Sequence, residues 1–143
     1  MKLPISELNE RFSREEITFA VIQNGELVHA RFARGIAPAL ELLTKQPHLL
    51  QNAAVCDTIV GKAAAALFIL GGVKEVYAFT ISEPAVAVLK AHGIVCHYET
   101  LCTQIINRRG DGLCPFEQAV LDVDTPKACL PVIEKTFQKL TAQ

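Results

Sequence analysis

From Cys56 to Gly72 the chain reads CDTIVGKAAAALFILGG, and between Val60 and Leu70 every face is apolar except for Lys62. A helix that is apolar all round is buried on all sides, so the rest of the chain must pack around this segment. Read as one helix, the stretch is capped at its N-terminus by Asp57 or Thr58 accepting a backbone N–H, and Gly71-Gly72 ends it. Lys62 is the misfit. A cation in the first turns opposes the helix dipole by about 0.3–1 kcal/mol. It is therefore expected to meet an anion, either Asp57 or a ligand arriving at the helix end.

The chain has 143 residues, room for one core, and is expected to form a single domain over residues 1–143. Half the residues are hydrophobic and the net charge is −1 with both signs interspersed, so no nucleic-acid or anionic-membrane footprint stands out. The longest apolar run, Ala63 to Val73, is too short to span a bilayer. The opening MKLPISELNERF lacks the apolar stretch of a signal peptide, so the chain reads as cytoplasmic. Five cysteines without a C-x-x-C pair argue against a disulfide framework or a structural zinc site. The four histidines lack H-E-x-x-H spacing, and the neighbours Cys96 and His97 point to opposite faces of a strand. No metal and no cofactor are implied.

Taken in order, Ser6 to Phe12 reads as a short amphipathic helix. Ile17 to Ile22 reads as a strand, and Asn24-Gly25 is a hairpin turn in which both residues take positive φ. Leu27 to Phe32 returns antiparallel, with Leu27, His29 and Arg31 on one face. Ile36, Leu40 and Leu43 fall at helical spacing as far as Gln46, and Pro47 stops that helix. After the central helix, Glu75 to Ile81 resembles a buried strand. Ser82 caps a helix running to His92, Gly93 ends it, and Ile94 to Tyr98 is the next strand, which makes a βαβ unit with parallel strands. Thr100 to Asn107 reads as a short helix and residues 108–112 as a polar, Gly-rich loop. Cys114-Pro115-Phe116-Glu117 starts a helix with Pro at N1 and Glu at N3. Thr125-Pro126 opens a last helix to about Leu140. The architecture is an α/β fold, with helices on both faces of a mixed sheet of four or five strands and an N-terminal hairpin.

A helix, a β-hairpin, a helix, a strand, a helix and a parallel strand, in that order, resemble the cytidine deaminase-like fold, a three-layer α-β-α sandwich. That resemblance implies a zinc site between two helix starts, one carrying His-x-Glu and the other Pro-Cys-x-x-Cys, with the Glu moving protons. This chain has Asp57-Thr58-Ile59-Val60-Gly61-Lys62 at the first place and Ser82-Glu83-Pro84-Ala85-Val86 at the second. The zinc ligands are missing, so zinc deamination does not carry over. The chain more closely resembles a small uncharacterised bacterial and archaeal family of this fold without a zinc site. The shared residues are Asp57, Gly61-Lys62-Ala63-Ala64-Ala65, Ser82-Glu83, Asn107-Arg108, and Cys114-Pro115 with Glu117.

The Gly61-Lys62 pair is not a P-loop. The first glycine of that motif would fall at Cys56, and the Ser or Thr after the lysine would fall at Ala63. Structurally, a Lys62–Asp57 ion pair would close the helix start, and Asp57 and Ser82 would be caps. Glu83 sits at a strand-to-helix crossover, where α/β folds place ligands. Cys114 stands at a helix start near Arg108 and Arg109, surroundings of the kind that favour a thiolate, with Glu117 or a histidine as the base it would need. Two functions follow. The first is a small-molecule-binding domain for a nucleotide-like or anionic metabolite, held by Asp57, Gly61, Lys62, Ser82, Glu83, Asn107, Arg108 and Glu117 in one hollow between the two helix starts. The second is a zinc-independent enzyme using Cys114 as nucleophile, or Lys62 as base or Schiff-base amine, with Glu83 or Glu117 assisting. Exposed strand edges offer a route to a homodimer.

Overall fold

The computed structural model describes residues 10–33 and 35–142. Residues 10–13 are helical, and the part of the predicted Ser6–Phe12 helix before Glu10 lies outside the described residues. The hairpin forms as predicted. Strands β1 (Phe19–Gln23) and β2 (Glu26–Arg31) pair antiparallel across Asn24 and Gly25, whose φ values are 51° and 78°. A register shift between Val21 and Ile22 breaks the strict alternation expected of β2. Leu27 and Ala30 pack on one side of the sheet, while Val28 packs on the other. His29 joins Val28's side against Phe19, and so does Arg31, paired with Glu41. Leu27 therefore does not share a face with His29 and Arg31.

Helix α1 (Ala37–Lys45) ends at Gln46, before Pro47. The stretch read as one long helix from Cys56 is then divided in two. Its first part is strand β3 (Ala54–Val60), and helix α2 (Lys62–Gly71) begins only after Gly61. A buried strand and a buried helix are both continuously apolar, so periodicity could not separate them. The β-branched residues Val55, Thr58, Ile59 and Val60 favour extended backbone, and Gly61 is the break. Asp57 and Thr58 are strand residues, not caps.

Two crossovers complete the sheet. Strand β4 (Glu75–Ser82), helix α3 (Glu83–Ala91) and strand β5 (Val95–Cys102) follow α2, and the strand order is β2-β1-β3-β4-β5. β1 is antiparallel to β3, whereas β3, β4 and β5 run parallel. The predicted helix over Thr100–Asn107 does not form. The ladder with β4 carries β5 on to Cys102, opposite Ser82, and Ile106 bridges Leu113. Helices α4 (Pro115–Val120) and α5 (Pro126–Thr141) close the chain, α5 capped by Thr125.

The main core lies on one face of the sheet, around α2. This helix buries Ala63 through Phe68 and packs against α1, α3, α4 and α5 as well as β3, which is why its sequence is apolar on all sides. The opposite face carries a smaller cluster of Phe12, Ile17, Ala20 and Cys56, and the Phe12 ring meets that of Phe79 at 5.3 Å, tilted by 44°. The result is a mixed five-stranded sheet with helical segments on both sides. Among the described residues no helix is long and apolar enough to cross a membrane.

One irregularity positions the site. Val55 and Val60 of β3 both join the main core, as do Val76 and Ile81 of β4. Residues five apart in a regular strand face opposite ways, so the alternation slips within both strands. The ladders skip Thr58 and Phe79 at that row. The slip falls directly after Asp57.

Candidate functional site

A cavity of about 990 Å³ opens beside the junction of β3 and α2. Asp57, Gly61, Ala63 and Ala64 form its floor, and Cys114 and Glu117 stand on one side. Phe12, Ile17, Phe32 and Ile36 are among its apolar walls. Thr18 pins the wall near the hairpin: its hydroxyl donates to the Ala33 carbonyl at 2.7 Å and accepts from Ala33 N–H at 3.0 Å. The Thr58 hydroxyl in turn donates to the Thr18 carbonyl at 3.1 Å.

Asp57 owes its position to the strand slip. Its carboxylate folds back to accept the Thr58 N–H at 2.8 Å, and the Ile59 N–H also donates to it. Among the described residues no cation pairs with it, so the expected Lys62–Asp57 ion pair does not form. Burial pushes the Asp57 carboxyl up to about 8, even though the two N–H bonds favour its charged form. A group that titrates near neutrality can donate or accept a proton at a ligand.

The anion at the start of α2 is instead Glu117, 55 residues further along the chain. Its two oxygens accept the backbone N–H groups of Lys62 at 2.6 Å and Ala63 at 2.9 Å. Gly61 makes this approach possible, because a Cβ there would lie 2.3–2.8 Å from the Glu117 carboxyl atoms. Glu117, read from the sequence as the N3 residue of its own helix, thus caps a different one. Burial raises the Glu117 carboxyl above its ordinary range, and the Ala63 and Lys62 N–H bonds and the Lys62 ammonium act against that rise.

Asn107 organises the loop that forms the outer rim. Its side-chain oxygen accepts from Gly110 N–H at 2.8 Å and Asp111 N–H at 3.3 Å, and its amide donates to Asp111 at 2.9 Å. Gly110 takes φ +77° within that turn. Arg108 and Arg109 are thereby held at the cavity edge, and both are exposed. Cys114 lies at the N-cap of α4 with its backbone N–H donated to the Ile105 carbonyl at 3.0 Å.

The structure brings together Asp57, Gly61, Asn107, Arg108, Cys114 and Glu117 at one cavity. It does not bring Lys62, Ser82 or Glu83 to its walls. The Lys62 ammonium turns to the Leu121 carbonyl at 3.3 Å. Ser82 is fully buried and caps its own helix by accepting Ala85 N–H at 3.3 Å, and Glu83 beside it is exposed. The hollow therefore belongs to one helix start, not two. The long-range cap from Glu117 had one signal in the sequence: Gly61 has no side chain with which to cap α2. The walls Phe32 and Ile36 had none. Among the described residues no three His, Cys, Asp or Glu side chains are placed to hold a metal ion.

No curated protein shows significant similarity to the chain. The fold is similar to the crystal structure of a DUF1893 family protein, TM1506, from Thermotoga maritima. The TM-score is 0.80 at 24% sequence identity, over 94% of this chain and 88% of that one. Residues 7–137 match the family described as a domain of unknown function, DUF1893 (TM1506), and the chain belongs to that family.

Proposed function

We propose that the chain is a small-molecule-binding domain whose ligand, a nucleotide-like or anionic metabolite, occupies the cavity beside Gly61. The observation that carries this reading is a carboxyl group, Asp57, on the floor of a cavity of about 990 Å³ and without a cationic partner among the described residues. Apolar walls enclosing a few convergent polar groups are the usual composition of a ligand site. Asp57 supplies a group that can donate a hydrogen bond when protonated and accept one when ionised. Arg108 and Arg109 at the rim suit an anionic substituent that extends towards solvent.

The element order supports a cytidine deaminase-like arrangement in which this cavity corresponds to the base-binding cleft. The helix starts that would carry the zinc ligands hold Gly61 and Lys62, and Ser82 and Glu83. These residues do not fit zinc.

A second reading, a zinc-independent enzyme, is favoured by the presence of Cys114 and Asp57 in the walls of one cavity. Cys114 would act as the nucleophile and Asp57 as the proton carrier, because the Glu117 oxygens are engaged by the start of α2. Lys62 and Glu83, outside the cavity walls, would serve only indirectly.

Thermal denaturation against a panel of nucleotides and small anionic metabolites tests the binding reading. At least one class should raise Tm, and Asp57→Asn and Arg108→Ala should each diminish the rise. A flat response across the panel would overturn it. Alkylation of Cys114 at neutral pH tests the enzyme reading, which is lost if the rate equals that of free cysteine.

A further inference from the structure

Exposed large apolar side chains gather at the cavity beside Gly61. Phe32, Ile59, Ile106 and Leu140 are all exposed and all line it, so a ligand that fills it has an apolar body. The charges around that body are unequal. Among the described residues Glu15, Asp57, Asp111 and Glu117 stand against Arg108 and Arg109. The two arginines and Asp111 share the rim loop that Asn107 organises, and Glu117 is taken up by the start of α2. The floor is left with an acid and no base.

Asp57 is set up as half of a pair. The Thr58 and Ile59 N–H groups hold its carboxyl group in place and occupy two of the roughly four acceptor positions that a carboxylate offers. Donors fixed on its oxygens favour the ionised form, and burial without a countercharge opposes it. A nitrogen cation arriving from the cavity supplies that charge, and a planar amidinium or guanidinium meets a carboxylate with two parallel N–H bonds.

We propose that the cavity binds a zwitterionic ligand with an apolar middle, its cationic nitrogen on Asp57 and its anionic group at Arg108 and Arg109. This rests on the binding reading above and narrows its anionic metabolite to one with a nitrogen cation at the buried end.

Four probes separate the parts: 4-amidinobenzoate, which carries both charges on one ring, benzamidine, benzoate and the neutral benzamide. Isothermal titration calorimetry at pH 7 should rank 4-amidinobenzoate first and benzamidine second, with benzamide and benzoate about tenfold or more weaker than benzamidine. The Asp57 carboxyl holds its proton up to about 8, so pairing with the amidinium releases about one proton at pH 7. The heat should then follow the ionisation enthalpy of the buffer, and affinity should rise about ninefold from pH 6 to pH 7. Other titratable groups facing the cavity or next to Asp57 are Glu15, Cys56, Asp111, Cys114 and Glu117. Asp57→Asn separates their protons from its own: it should abolish the proton release and bring benzamidine down to the level of benzamide. Arg108→Ala should shrink the advantage of 4-amidinobenzoate and leave the proton release in place. Equal affinities for benzamidine and benzamide would overturn the proposal, as would proton release that survives Asp57→Asn. So would an Asp57 carboxyl that titrates by NMR at its ordinary 3.8 in the free protein, because its countercharge would already be present. If both amidines leave the protein unaffected while anions of the wider panel raise Tm, this proposal fails and the binding reading stands; a flat panel ends both.

Discussion

The starts of α2 and α3 look alike in sequence, each a strand running into an apolar helix, yet they are closed in opposite ways. α3 closes itself: Ser82, the residue before the helix, accepts Ala85 N–H, and the whole cap is local. α2 begins after a glycine and borrows its cap from Glu117, which arrives from α4. A local cap stabilises one helix. A borrowed cap also ties β3, α2 and α4 together at the wall of the cavity, so folding energy and site geometry depend on the same carboxylate. The difference teaches why the cavity sits at one helix start and not between the two.

The contrast is broken most directly at Glu117. Glu117→Ala leaves two buried helix-start donors unpaired and should cost about 2–4 kcal/mol, measured by urea denaturation, whereas a loss below that of Ser82→Ala would show that the borrowed cap ties nothing together. Gly61→Ala comes next. Its Cβ would enter the space of the Glu117 carboxyl, and the displaced cap should cost about 1–3 kcal/mol. In a double-mutant cycle the Gly61→Ala and Glu117→Ala losses should be strongly less than additive, and full additivity would separate the two residues.

Asp57 sharpens the comparison from the other side, as the carboxyl group that caps nothing. Its folded value of about 8 lies above its ordinary value of 3.8, so the folded state holds a proton that the unfolded chain has released. Stability contributed by that proton is complete below about pH 4 and is lost as pH rises through about 8. Asp57→Asn should flatten this slope and raise stability at pH 8 by about 1–2 kcal/mol. An unchanged pH profile would show that the carboxyl does not titrate there. The smallest effect is expected at the self-contained helix start, where Ser82→Ala should cost about 1 kcal/mol and leave the Asp57 titration, followed by NMR, where it was.

Features that depend on near neighbours were legible in the chain. The Asn24-Gly25 turn, the Ser82 and Thr125 caps, the stop at Gly72 and the burial of α2 all follow from residues a few positions apart. Such features rest on backbone sterics and local hydrogen bonds, which the same few residues supply wherever they occur. The division of Cys56–Gly72 into strand and helix was less accessible. An element buried on all sides leaves no polar stripe to mark its period.

What only the tertiary structure decided is the chemistry of the site. Asp57, Cys114 and Glu117 were all visible as candidates, but their roles depend on which partners reach them. Glu117 is committed to backbone donors far back in sequence, Lys62 is turned to the Leu121 carbonyl, and Asp57 accepts N–H groups of its own strand, with no cation paired to it among the described residues. Burial and hydrogen bonding set the behaviour of a charged group, and both are properties of its three-dimensional surroundings. The chain by itself determined an α/β fold around one apolar helix. The packing of α4 against the start of that helix decided where the cavity lies and made Glu117, not Asp57, the partner of the helix start.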